Sequence, residues 1–151
     1  MISVQSADFD VAAEYTALTS NDVDAGAVVL FVGRVRELNL SRQVTGLLLE
    51  HYPGMTEKAL EEILVEAQSR WQLTRCRIIH RIGLLTLGDQ IVLVGVTSPH
   101  REQAFAAAEF LMDYLKTRAP FWKKEMTGAG DYWVDAQEKD RESAQRWEQK
   151  K

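Results

Sequence analysis

Between positions 116 and 124 the chain reads Lys-Thr-Arg-Ala-Pro-Phe-Trp-Lys-Lys, with four cations and no acid, although 22 Asp+Glu outnumber 18 Lys+Arg overall. A lysine crowded by other cations gives up its proton more readily, which suits it to general acid–base work or to activating a carbonyl-like carbon. Phe121 and Trp122, beside Lys123 and Lys124, add flat surfaces on which a base or a pterin-like ring can stack. Lys116 and Arg118 also fall at a predicted helix C-terminus, where cations complement the dipole without any ligand. A second group, Ser98-Pro99-His100-Arg101, puts cations at the start of a helix, where they oppose the dipole and an anionic ligand would reverse that cost. A third, Arg34-Val35-Arg36, sets two cations on one face of an extended chain, which snorkelling surface arginines explain equally well.

His100 and Lys116 are sixteen residues apart on one predicted helix. At a rise of ~1.5 Å per residue that is about 24 Å, so no single small ligand touches both within one chain. A site that uses both requires two copies meeting head to tail. Other chemistry finds less support. His51, His80 and His100 lack the spacing of metal ligands, and only His80 lies near the lone cysteine, so neither a metal nor a cofactor is expected. Cys76 reads as a small buried core residue, with Arg75 and Arg77 pointing to the opposite face. Gly128-Ala129-Gly130 lacks the Lys-Ser/Thr of a phosphate-binding loop, and no Ser-His-Asp grouping stands out.

The elements that must position these groups follow from periodicity. A short edge strand is expected at 2–5, then a helix capped by Asp8 or Ser6. Residues 25–35 read as a buried strand, 37–43 as a mobile loop and 44–52 as the next strand. Pro53-Gly54 suits a type II turn, and Thr56 is the expected cap of a helix with Leu60, Ile63, Leu64, Ala67 and Trp71 on one stripe. Residues 75–85 alternate and are expected to form a hairpin with 91–96 across Gly88-Asp89. The helix that follows takes Ser98 as N-cap, Pro99 at its first position and Ala119-Pro120 as its stop. Strands at 121–126 and 131–134 pair across 127–130, a last helix covers 139–147, and a tail from 146 to 151 is expected to fray. The mixture lacks a regular βαβ rhythm, so the class is α+β with a largely antiparallel sheet, in one domain spanning 1–151.

A chain of 151 residues, 46% hydrophobic and 26% charged, has the composition of an ordinary globular protein. Its net charge of −4 argues against a nucleic-acid coat. One cysteine forms no internal disulfide, the first residues lack a signal pattern, and no apolar run approaches the ~20 residues of a membrane span. A cytoplasmic location is the expectation, with no membrane or nucleic-acid partner.

Four segments carry a resemblance. LEHYPGMTEKAL (49–60), IHRIG (79–83), VGVTSPHR (94–101) and MDYLKTRAPFWKKE (112–125) resemble the large, catalytic subunit of molybdopterin synthase over about 25–147. The resemblance implies an α/β hammerhead-like fold with an added antiparallel β subdomain. It implies a sulfurtransferase that converts cyclic pyranopterin monophosphate to molybdopterin. The sulfur comes from the C-terminal Gly-Gly thiocarboxylate of a small ubiquitin-like subunit, and two transfers build the dithiolene. It further implies a homodimer of large subunits inside a 2+2 heterotetramer, with sites shared across the dimer. Carried over residue by residue, the substrate positions are Arg34, Val35, Arg36, His100, Arg101, Lys116, Lys123, Lys124 and Glu125. Lys116 and Lys123 are the implied catalytic groups, with Arg118 and Lys123 expected to depress the Lys116 pKa. Phe31 and Met112 are the implied channel for the partner's tail. A non-catalytic adaptor that holds the tail of a ubiquitin-like partner is the alternative.

Overall fold

The computed structural model describes residues 1–39, 42–134 and 138–148. Its elements run β1 (Ile2–Gln5), α1 (Val11–Thr19), β2 (Ala27–Arg34), β3 (Leu38–Asn39), β4 (Arg42–His51), α2 (Met55–Arg70), β5 (Arg75–Arg81), β6 (Gly83–Thr86), β7 (Gln90–Ser98), α3 (Arg101–Arg118), β8 (Phe121–Thr127), β9 (Gly130–Val134) and α4 (Glu138–Glu148). They build two sheets. The first has the order β1-β5-β7-β2, and the second β3-β4-β8-β9 with β6 also paired to β4. Only the β1–β5 pair is parallel, so the α+β class with a largely antiparallel sheet holds.

Apolar residues at helical spacing on α2 and α3 explain the main core. Leu60, Ile63, Leu64 and Ala67 of α2 meet Ile78 of β5, Val94 and Val96 of β7, and Phe110, Leu111 and Leu115 of α3. Trp147 of α4 closes this core edge-on to Trp71 and Phe110. Its indole N–H donates to Asp113 at 2.7 Å, and the Arg70 guanidinium donates to its backbone carbonyl. Residues 146–148 of the tail expected to fray are therefore helical, with Trp147 buried; 149–151 lie outside the described residues. A smaller core of Val35, Val44, Leu47, Leu49 and Leu85 sits under the second sheet, and Ile91 packs against both.

Several local expectations are corrected. Asp10, not Asp8 or Ser6, caps α1, accepting from the Ala13 N–H. The loop expected at 37–43 contains β3, which pairs back on β4 through Leu38–Gln43 and Asn39–Arg42, while residues 40–41 lie outside the described ones. β2 is an edge strand and only half-buried, with Phe31 41% exposed, because no strand covers its outer side. Thr56 does not cap α2. Its hydroxyl accepts from the Tyr52 N–H and donates to the Pro120 carbonyl, tying the start of α2 to the α3–β8 junction. The 75–85 run breaks at Gly83, whose φ of +89° sends the chain out of the first sheet, so β5 pairs with β7 while β6 crosses to β4. Ser98 ends β7, where its hydroxyl donates to the Gln72 carbonyl and accepts from the His100 N–H, and α3 starts at Arg101 with His100 as its N-cap residue.

Candidate functional site

The two sheets and the C-terminal end of α3 enclose a cavity of about 670 Å³, within the range that holds a small fused heterocycle. Three elements bring the cations to it. Strand alternation on β8 turns Phe121, Lys123 and Glu125 inward. The last turns of α3 add Met112, Leu115 and Lys116. β2 and the residues after it add Phe31, Arg34, Val35 and Arg36. Ala119-Pro120 reverses the chain between Lys116 and Lys123, because the residue before a proline leaves helical geometry, and Ala119 has ψ 131°.

The Lys123 amine is held below the usual lysine pKa, chiefly by burial and next by the Lys116 ammonium, with Arg36 contributing and Glu125 and Asp140 opposing. Lys123, expected as a neighbour acting on Lys116, is thus itself acted on by Lys116. Arg118, the other neighbour expected to act on Lys116, turns away: its guanidinium lies 3.7 Å over the Tyr114 ring and pairs with Glu66 and Glu148. Lys124 also leaves the group, since alternation puts it on the outer face, 5.1 Å over the Trp133 ring. Arg34 donates to the Gly88 carbonyl at 3.2 Å, which fixes its guanidinium at the rim. Val35 is buried, and its backbone N–H donates to the Asp89 carbonyl, so it positions its arginine neighbours.

His100 and Arg101 lie elsewhere. With Gly26, Pro99 and Glu102 they line a separate hollow at the N-terminal end of α3. The helix between them and Lys116 keeps the two groups about 24 Å apart. Two titratable cavity residues stand outside the expected site: His80, next to last on β5, and Asp140 of α4. The signal for His80 was present in the strand alternation, which faces it inward with Ile78; nothing in the sequence pointed to Asp140. Cys76 is buried away from the cavity lining, and burial raises its thiol to about 11. Among the described residues no group of three His, Cys, Asp or Glu side chains is arranged to hold a metal ion.

The family model described as "MoaE protein" matches residues 4–118. The chain belongs to the MoaE family. A MoaE-family relative from Vibrio cholerae, named molybdopterin synthase catalytic subunit, is 63% identical over 147 residues, covering 97% of each chain. The solved molybdopterin biosynthesis MoaE protein from Burkholderia ambifaria superposes with a TM-score of 0.83 at 50% identity, covering 98% of this chain and 97% of that one. The molybdopterin synthase structure from Staphylococcus aureus has a TM-score of 0.80 at 36% identity, covering 87% and 95%. The MoaE model ends at Arg118, so Lys116 lies inside the match, while Lys123, Glu125 and Asp140 lie beyond it in sequence yet line the same cavity.

Proposed function

We infer that this chain is the catalytic, sulfur-inserting subunit of molybdopterin synthase, which converts cyclic pyranopterin monophosphate to molybdopterin. The observation that carries this is the convergence of Lys116, Lys123 and Arg36 in one cavity of a net acidic MoaE-family chain. The substrate carries a phosphate and the incoming thiocarboxylate is an anion, so both are drawn to clustered cations. The sulfur donor is the C-terminal Gly-Gly thiocarboxylate of a small ubiquitin-like subunit, so no cysteine is needed on this chain. Its tail enters past Phe31 and Met112, both at the cavity wall. The thiocarboxylate sulfur bonds to an electrophilic side-chain carbon of the substrate, and the oxygen on that carbon leaves, at one carbon as the phosphate oxygen when the cyclic phosphate opens and at the other as water. Water then cleaves the acyl–sulfur bond, which leaves the sulfur on the pterin side chain and a carboxylate on the donor. A second donor repeats the step to complete the dithiolene.

Within this scheme Lys116 works either as proton donor and acceptor or as the amine that activates the carbon. Lys123, with Glu125 beside it, stabilises the negative charge that develops on oxygen. Arg36 clamps the phosphate with His100 and Arg101 of a second copy, because α3 is too long for one chain to supply both ends. The assembly is then a central homodimer with one small subunit at each end. Among the described residues no helix is long and apolar enough to cross a membrane, and with one cysteine a cytoplasmic site of action is the natural one.

The test is a reconstituted assay with this protein, thiocarboxylated small subunit and cyclic pyranopterin monophosphate, with dithiolene read as its fluorescent oxidation product. Product that depends on this chain is expected, together with its loss in Lys116→Ala at unchanged partner affinity. Tight partner binding without product would favour the adaptor. Loss of partner binding in step with turnover would remove Lys116 from catalysis.

A further inference from the structure

The cavity holds a polar side chain that the scheme above leaves idle. His80, next to last on β5, lies on the core face and is 6% exposed. Its ring stacks on Phe121, with centroids 3.8 Å and planes 18° apart. Phe121 and Lys123 are two residues apart on β8 and share its inward face, so this stack sets the imidazole beside the Lys123 stem. The His80 Nδ1 lies 2.8 Å from the Arg81 carbonyl oxygen. A carbonyl only accepts, so Nδ1 carries the hydrogen, and Nε2, at the far side of the ring from that contact, keeps its lone pair.

We propose that His80 is a positioning residue for the sulfur transfer: its Nε2 accepts a hydrogen bond from the Lys123 amine through one bridging water, and fixes the direction in which that amine works. This rests on Lys123 acting as proposed above. The acceptor has to stay uncharged to do this, since an imidazolium would donate and would repel the amine. Burial above all, opposed by the Arg81 carbonyl and helped by the Lys123 and His51 charges, holds the imidazole at about 4, so it is neutral throughout the working range. Among the described residues, Lys116 from α3 and Arg36 after β2 push the Lys123 proton off, while Glu125 on β8 and Asp140 on α4 hold it. His80 is the neutral member of this set. Its part is direction rather than charge.

The test compares His80→Phe, which keeps the stack and removes the acceptor, with His80→Gln, whose Oε1 reaches the Nε2 position. Lysines are methylated with ¹³C and the Lys123 signal is titrated by NMR without substrate. A hydrogen bond to the ammonium favours the charged form, so His80→Phe should lower the Lys123 pKa by about one pH unit. His80→Gln should restore it. In turnover, His80→Phe should lower kcat about tenfold with KM nearly unchanged, and should have no further effect in a Lys123→Ala background. An unmoved Lys123 titration, or an equal loss in the Lys123→Ala background, would overturn the proposal and leave His80 as a stacking residue. His80→Asn, which leaves the Nε2 position empty, gives the same answer should the Phe variant not fold. If the unsubstituted protein makes no product, the functional scheme falls, while the titration still decides whether His80 touches Lys123.

Discussion

If His100 and Arg101 serve a site whose lysines come from another copy, two dead variants should rescue one another. One parent is Lys116→Ala, and the other is His100→Ala with Arg101→Ala. His100 caps α3 and Lys116 lies in its last turn, about 24 Å away, so each site draws its lysines from one protomer and its His100–Arg101 pair from the other. Each parent homodimer then carries two broken sites. When equal amounts are unfolded together, mixed and refolded, about half of the dimers are mixed, by random pairing of two protomers. In a mixed dimer one site collects every substitution and the other collects none. One intact site in half of the dimers gives about a quarter of the unsubstituted activity. The assay is dithiolene formation after refolding, with two affinity tags to isolate the mixed species, which should then reach about half. Mixed dimers isolated on both tags with no activity above the parents would refute the two-copy site. They would require His100 and Lys116 to act in separate reactions or on separate ligands.

Three further outcomes follow from the same geometry. Lys123→Met should lower turnover about a hundredfold or more, leaving measurable residual activity, yet raise Tm at neutral pH by about 2–4 °C for each kcal/mol recovered, because a lysine whose folded pKa is depressed destabilises the fold below that pKa and is relieved as pH rises through it. His80, held at about 4 in the fold against 6.5 free, should make the protein lose stability as pH falls from about 6.5 to 4, by up to about 3 kcal/mol. Urea titrations across that range check this, and His80→Phe should flatten the curve. Thr56→Val, which removes the hydroxyl bonded to the Tyr52 N–H and the Pro120 carbonyl, should cost about 1–3 kcal/mol in the same measurement.

What the sequence made legible was what local periodicity and punctuation encode. The stripe on α2, the stop at Ala119-Pro120 and the 121–134 hairpin are each set by residues within a few positions of one another, and they stand where expected. The exchange between sheets at Gly83 depends on which strand β6 meets, a long-range choice that alternation in 75–85 cannot announce. Capping failed for a related reason: long-range pairing sets where the helices begin, so Ser98 ends β7 two residues before the N-cap His100, and Thr56 falls inside the first turn of α2 rather than before it. At the site, the cationic run was visible but its sidedness was passed over, although the alternation of Lys123 and Lys124 was there to read. Asp140 is brought in by the docking of α4, which depends on Trp147 and Asp113 rather than on anything near position 140.

The junction at Ala119-Pro120 makes chain length itself a working part. Six residues lie between Lys116 and Lys123, and Thr56 pins the carbonyl in their midst. One inserted residue there would either unpin the junction or shift β8 by one place, and a one-place shift would turn Lys123 outward and put Trp122 in its place. The β8–β9 turn, where Gly128 has open space around it, imposes no such ruler. An insertion at the far end of the hairpin should therefore leave turnover intact, and one at its root should destroy it. The spacing of the two lysines is the dimension that any redesign of this scaffold must hold constant.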